Sequence, residues 1–520
     1  MALTPGSFAG RPLSCIPKSR AAASTARAVP SSSSMPRSSR HALSSRLQHV
    51  CHNSVPTAST RCLHTSSTRP VSSDNLTLNA VSLSRPPEPQ PEPDNMAKPP
   101  PLAVLPLTNI LRSLMTTTVS SSPLLLPPSL AIMSVLANTT SPALNPDKNL
   151  VLRYFLKNTF YAQFCAGESA TEVKQTIACL KSIGFSGVIL GYAKEVVLTA
   201  SQTKDLTAHN PATEEECIRT EINPWSAGTL ETVRLASPGD FVALKFTGAG
   251  RQALHALSQR LPPSPALAKA IDDICQLATT RGVRLLFDAE QQAVQHGIDD
   301  WTLAYMRKYN SPSRAVVYGT YQAYLKATPA VLSAHLTAAA AEGFAIGVKL
   351  VRGAYLGSDP RHLIHDTKAD TDAAYDGIAE ALLKGLWAGP LKAPSSDDSV
   401  FPRVDTVLAS HNCESVLKAR AIVESLAGEG SPPQVAFAQL QGMADEVSCE
   451  LVQCGSDGVK SSPPLQAYKY LVWGSTGECM KYLLRRAQEN RDAVQRTRSG
   501  RDAMRAELIR RVKGMFGVMG

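Results

Sequence analysis

Arg485 and Arg486 stand side by side in Tyr482-Leu483-Leu484-Arg485-Arg486-Ala487-Gln488-Glu489-Asn490, a helical stretch after the strand-like run Tyr470-Leu471-Val472-Trp473. Each guanidinium can fork onto a carboxylate, so two on one turn make a clamp for a planar anion. Glu489, at i+4 from Arg485 and i+3 from Arg486, can hold either one in place. Tyr470, at the end of the preceding strand, would stand over whatever the arginines grip. Taken alone, the same pattern also suits a solvated basic helix. The rest of the chain decides between the two.

The elements that would position such a clamp are short β-branched runs alternating with helical stretches from about residue 150 onward. The strand candidates are Gly187-Leu190, Phe241-Phe246, Arg284-Asp288, Ala315-Tyr318, Ala345-Val351, Asp405-Ser410, Val435-Leu440 and Tyr468-Val472. Between them lie helical patterns such as Ala266 to Arg281 and Thr371 to Leu386. Eight strand–helix units predict an α/β fold, a TIM-like (β/α)8 barrel rather than an open doubly wound sheet. The open sheet would show a glycine-rich phosphate loop after its first strand. The one candidate, Gly248-Ala249-Gly250, follows the second strand and lacks a third glycine.

Polar residues gather where the runs end: Lys245, Asp288, Gln322, Lys349 with Arg352, His411, Gln439 and Tyr470. The carboxyl ends of barrel strands form the active face. Only the first strand departs, ending in Gly191-Tyr192. Lys349 also fits an ordinary ion pair at a barrel mouth. Lys245 or Lys349, if desolvated, could serve a Schiff-base lyase. His411 has no serine or cysteine nucleophile motif beside it and reads as a binding residue rather than a base.

Residues 1–73 contain no Asp or Glu but carry nine arginines and lysines among many serines, the composition of a mitochondrial transit peptide without ordered structure. Residues 74–101 form a proline-rich linker, with Pro86 to Pro101 a stiff stretch. Residues 102–150 hold apolar pieces broken by Pro106, Pro123, Pro127 and Pro128, too short to span a membrane and read as an N-terminal helical segment. The barrel would occupy residues 151–491 and a basic helical tail residues 492–520. The net charge of +10 sits largely in the leader, so it does not argue for nucleic acid. The 11 cysteines include no CxxC pair and offer no metal set.

The strand ends carry a family resemblance. Ala243-Leu244-Lys245, Phe287-Asp288-Ala289-Glu290, Tyr321-Gln322-Ala323-Tyr324-Leu325, Lys349-Leu350-Val351-Arg352-Gly353-Ala354-Tyr355, Ser410-His411-Asn412, Gln439-Leu440-Gln441-Gly442-Met443-Ala444-Asp445 and the arginine helix occur in one order. From about Leu152 to Asn490 the chain resembles the proline dehydrogenases, flavoenzymes that oxidise L-proline to 1-pyrroline-5-carboxylate.

The resemblance implies FAD on the barrel, held by Gln322, Lys349, Arg352, Gly353, Tyr355, His411, Asn412, Gln439 and Glu489. It implies substrate contacts from Lys245, Asp288, Tyr470, Arg485 and Arg486, with Leu350 and Tyr355 shaping the pocket. Asp288 would keep Lys245 or Tyr470 in place. Ubiquinone as acceptor and the matrix side of the inner mitochondrial membrane follow from the same likeness; a hydroxyproline dehydrogenase is the alternative on this scaffold. Two departures stand out. Some relatives close the pocket with a glutamate after the first strand, where this chain has Tyr192 and, three residues on, Glu195. The segment Trp387 to Pro402 is a polar insertion expected to be a surface loop. No aldehyde dehydrogenase-like stretch follows Asn490, so a monofunctional enzyme is expected.

Overall fold

The β-branched runs become eight parallel strands: β1 Gly187–Tyr192, β2 Phe241–Leu244, β3 Arg284–Phe287, β4 Val317–Gln322, β5 Ile346–Val351, β6 Val404–Ala409, β7 Val435–Leu440 and β8 Gln466–Trp473. They close in chain order into the expected barrel, with β8 returning to β1 through pairs such as Ile189–Tyr470. The computed structural model describes residues 99–139, 141–193, 214–394, 400–427, 434–456, 465–492 and 494–516. The leader, most of the linker, Glu195 and the side chain of Glu489 lie outside the described residues.

Helices separate the strands, and local chemistry sets their ends. Thr367 and Asp370 form a reciprocal capping box at the start of Lys368–Lys384. Helices ending at Ile183, Arg281, Glu342 and Lys384 stop on glycines with left-handed backbone. Two expected strands shift. The fourth, expected over Ala315-Tyr318, runs through Gly319 to Gln322, and the second stops at Leu244, with Phe246–Ala249 forming a 3-10 turn. Gly319 tolerates the strand because helix Gln292–Tyr309 presses Thr302 and Met306 against the space a Cβ would take.

Side-chain alternation divides each strand between two cores. Leu190, Leu244, Phe287, Val317, Val348, Leu408 and Phe437 face the helices in the main cluster. Ile189, Phe241, Leu286, Tyr318, Val407 and Tyr468 fill the barrel interior. Phe241 meets Tyr318 and Tyr468 edge-on at 5.4 and 5.2 Å, and the Arg284 guanidinium sits 3.6 Å from the Phe241 ring centroid. This aromatic plug seals the amino-terminal half. Towards the carboxyl ends the inward residues shrink to Gly191, Ala243, Ala409 and Ala438. The interior is therefore roomier on the side where the polar residues gather.

Before the barrel come α1 (Leu107–Ser121), α2 (Leu126–Asn138) and α3 (Leu150–Leu156). The C-terminal helix, Val494–Met515, packs against α1 through Met504, which shares a buried cluster with Leu102, Leu105, Ile110 and Cys449. Arg510 and Arg511 pair with buried Glu507, and Arg511 also donates to the carbonyls of Leu102, Ala103 and Leu105. The insertion after Trp387 is anchored rather than wholly superficial. Leu391 is buried, and the Trp387 and Phe401 rings meet edge-on at 5.0 Å.

Candidate active site

At the wide end of the barrel one carboxylate joins two strands. Asp288, just beyond β3, accepts from Lys349 Nζ of β5 at 2.5 Å, and its other oxygen accepts from the Tyr470 hydroxyl of β8 at 3.3 Å. Lys349 and Asp288 are each 8 % exposed along the side chain. The ammonium also lies 5.4 Å from the Tyr470 ring centroid. The Asp288 contacts differ in part from expectation: Lys349 and Tyr470 take its two oxygens. Tyr470 was one of the two partners expected for Asp288; the contact with Lys349, 61 residues away in sequence, was not. The inward site on β1 is Gly191, where an added Cβ would come within 3.0 Å of the Tyr470 hydroxyl. Tyr192 points the other way, packing on Trp473 with ring centroids 5.4 Å apart.

Other strand-end residues form the rim. Lys245 keeps extended backbone at φ −120°, ψ 122°, which carries the inward alternation of Ala243 one step further. Gln322, buried at the end of β4, donates to the Glu290 carbonyl and accepts from Ala354 N, both at 3.3 Å. Thr320, two residues earlier on the same inward side, has a buried hydroxyl without a hydrogen-bond partner among the described residues. Leu350 is fully buried in the cluster behind the sheet rather than on the inward face of β5. Tyr355 is buried, and its carbonyl accepts from Ser358 N and Asp359 N.

The β5–β6 edge is held by Arg352. It donates to Asp372 at 3.1 Å, Ser410 at 2.5 Å and Ser415 at 2.7 Å, and stacks over Tyr375 at 4.4 Å. Gly353 has φ 147°, and the ring of Tyr324 occupies the space beside its Cα. His411 Nε2 accepts from Leu440 N at 3.0 Å, which puts any neutral-ring proton on Nδ1. Asn412 caps helix Cys413–Leu426 by accepting from Ser415 N. Gln439 donates to the Ser410 carbonyl and accepts from Ser448, so its amide ties β7 to β6 and to the following helix. Ser410 is the hub of this edge, a role not read from the sequence.

The two arginines ride on helix Thr476–Asp492. Met480, Tyr482 and Leu483 of this helix share a cluster with Val472, Met443 and Ala193, and Tyr470, Leu440 and Leu484 pack against it. The helix thus lies on the carboxyl ends of β7, β8 and β1. Arg486 is 5 % exposed with its guanidinium 5.1 Å from the Tyr482 centroid, and Arg485 is half-buried.

What fixes the helix start is partly local. Ser475 and Glu478 form a reciprocal capping box, a signal present in Ser475-Thr476-Gly477-Glu478. Two distant acids add to it. Glu168 accepts from Thr476 N at 2.9 Å and pairs with Arg153 and Lys157; these partners outweigh its desolvation and hold its carboxyl down at about 2. Asp147 accepts from Gly477 N at 2.9 Å and Ser475 Oγ at 3.1 Å.

The comparisons with known proteins give the family and the fold. Residues 173–499 match the proline dehydrogenase family profile. Over 400 residues the chain is 30% identical to a probable mitochondrial proline dehydrogenase of Schizosaccharomyces pombe, covering 69% of this chain and 80% of that one. A hydroxyproline dehydrogenase of Xenopus laevis is 28% identical over 397 residues, 69% and 78% of the respective chains. Among solved structures, proline utilization A of Bdellovibrio bacteriovorus superposes with a TM-score of 0.54 at 18% identity, over 74% of this chain and 41% of that one, a likeness of fold. With the profile covering all eight strands and the arginine helix, this chain belongs to the proline dehydrogenase family.

Proposed function

We propose that the protein oxidises L-proline to 1-pyrroline-5-carboxylate in the mitochondrion, with FAD as hydride acceptor and ubiquinone in the inner membrane as the next acceptor. The observation that carries the reading is the Lys349–Asp288–Tyr470 bridge at the wide end of the barrel, beneath a helix bearing two guanidiniums. The relatives named mitochondrial and the acid-free leader support the compartment, on the matrix side.

The residues present fit a flat cofactor. Gly191, Ala243, Ala409 and Ala438 leave room above the aromatic plug, and Thr320 offers a buried hydroxyl towards that room. Lys349 supplies a cation for a ring edge that becomes negative on reduction, and Gln322, Arg352, Gly353, Tyr355, His411, Asn412, Gln439 and Glu489 would hold the remainder. FAD bound there would supply the acceptor for the hydride leaving C5 of proline.

The protein's own contribution is positioning. Arg485, Arg486 and Lys245 would grip the substrate carboxylate and fix the ring against Tyr470, itself oriented by Asp288. A tethered phenol leaves little space for a 4-hydroxyl, which favours proline over hydroxyproline. A lyase using Lys349 as a neutral nucleophile finds no support, since its ammonium is held by a buried carboxylate. Arg486→Met tests the clamp. It removes a charge-assisted contact of about 1.5–3 kcal/mol, so the KM for proline should rise about 10- to 150-fold with FAD content retained. Unchanged proline kinetics would remove the arginines from the site.

A further inference from the structure

We infer that α2, α3 and the turn between them form the face by which this protein docks on an anionic bilayer. The inference deepens the quinone reading above, and rests on it for its purpose though not for its residues. α2 buries Leu126, Met133 and Leu136, and α3 buries Leu156 with Leu152 packed beside it. Met133, Leu136 and Leu156 join the same cluster as Tyr482 and Leu483 of the arginine helix. The opposite sides of α2 and α3 are apolar as well. Leu124, Leu150, Val151, Tyr154 and Phe155 are 61 to 83 % exposed, and Leu125, Ile132, Val135 and Leu144 are exposed beside them. Single exposed leucines are ordinary; nine large apolar side chains within residues 124–155 are not.

A bilayer fits this face better than a polar partner does. Between Arg112 and Arg153 the only charged residues are Asp147 and Lys148. Both are exposed, but Asp147 is engaged by Gly477 N and Ser475 Oγ at the start of the arginine helix, which leaves Lys148 as the cation available to a lipid headgroup. One such cation beside a face otherwise free of charge adds about 1 kcal/mol of attraction to an anionic lipid surface. Tyr154 and Phe155 supply the aromatic residues that settle at headgroup level.

The helices lie on the membrane rather than cross it. Among the described residues no single helix is long and apolar enough to span, and the pair α1 and α2 is bent by 105°. α1 is also committed elsewhere, with Ile110 fully buried against the C-terminal helix. The 13 residues of α2 reach about 20 Å, short of the roughly 30 Å hydrocarbon core. Docked this way, the arginine helix lies one helical layer beneath the bilayer surface.

The test uses the full chain with FAD, sedimented with phosphatidylcholine vesicles that contain or lack phosphatidylglycerol. Val151→Asp/Phe155→Asp removes two exposed apolar contacts, each worth about tenfold, so partition should fall about a hundredfold. Dye-coupled proline oxidation and the thermal midpoint should match the wild type. Lys148→Glu should weaken binding only to the anionic vesicles. Undiminished binding by the double variant, or no binding by the wild type, overturns the inference. So does a wild-type dimer that the double variant dissolves, which would assign the face to a second copy of the chain. Absence of dye-coupled proline oxidation in a vesicle-binding wild type would instead sink the activity while leaving the docking face standing.

Discussion

Replacing Asp288 with Asn probes the bridge at the centre of the site. Asp288 and Lys349 lie 2.5 Å apart with side chains 8 % exposed, so water screens them poorly. At an effective dielectric constant of about 20 the bare attraction is about 6–7 kcal/mol, opposed by the desolvation of both ions. Asn keeps the shape and can still accept from Tyr470, but strands a buried ammonium, which costs about 3–5 kcal/mol. Lys349→Met strands the carboxylate at a similar cost. The double variant leaves neither charge and should return to within about 1 kcal/mol of the wild type, because the net worth of a buried pair over an apolar replacement is small. The double-mutant cycle should therefore show a coupling of at least about 5 kcal/mol. Urea unfolding of the four proteins, all saturated with FAD, measures it. Single variants that each lose less than 1 kcal/mol, or a double variant that loses their sum, would refute the reasoning.

Three further outcomes follow from the site and its supports. Tyr470→Ser should narrow the ratio of kcat/KM between L-proline and 4-hydroxyproline, and a wild type that uses both equally would remove Tyr470 as the selector. Glu168, held at about 2 against an ordinary 4.5, contributes stability that is full above pH 4.5 and is lost as pH falls through 2. Relative to Glu168→Gln, the wild type should be more stable by about 3 kcal/mol at pH 7 and by roughly half of that at pH 3; a gap independent of pH would contradict the pairing with Arg153 and Lys157. Deleting residues 1–73 should leave a cytosolic protein that still binds FAD and oxidises proline with a dye, whereas continued import would deny the leader its role.

The barrel was legible because its strands are written as short apolar runs with polar ends, and only their limits moved. The fourth was expected to end at Tyr318 and runs on through Gly319, where the helix packed behind the sheet comes within 3.1 Å of the position a Cβ would take. The paired arginines were legible because neighbours on one turn share a local setting. Of Asp288's partners, Tyr470 was expected from the resemblance and Lys349 was not, because parallel strands bring together residues far apart in sequence. Glu168 is a similar case, 308 residues from the helix start it caps. Gly353 was legible as a position that needs glycine, and the Tyr324 ring that fills the space beside its Cα was not. The capping box at Ser475 and Glu478 was readable and would have fixed the start of the arginine helix from sequence alone.

The most direct measurement is anaerobic mixing of the purified protein with L-proline while following its visible absorption. The account expects a yellow protein whose flavin band bleaches with proline, to a much smaller extent with 4-hydroxyproline, and with formation of 1-pyrroline-5-carboxylate in step. A protein that carries no flavin, or one whose flavin band is untouched by saturating L-proline, would contradict it.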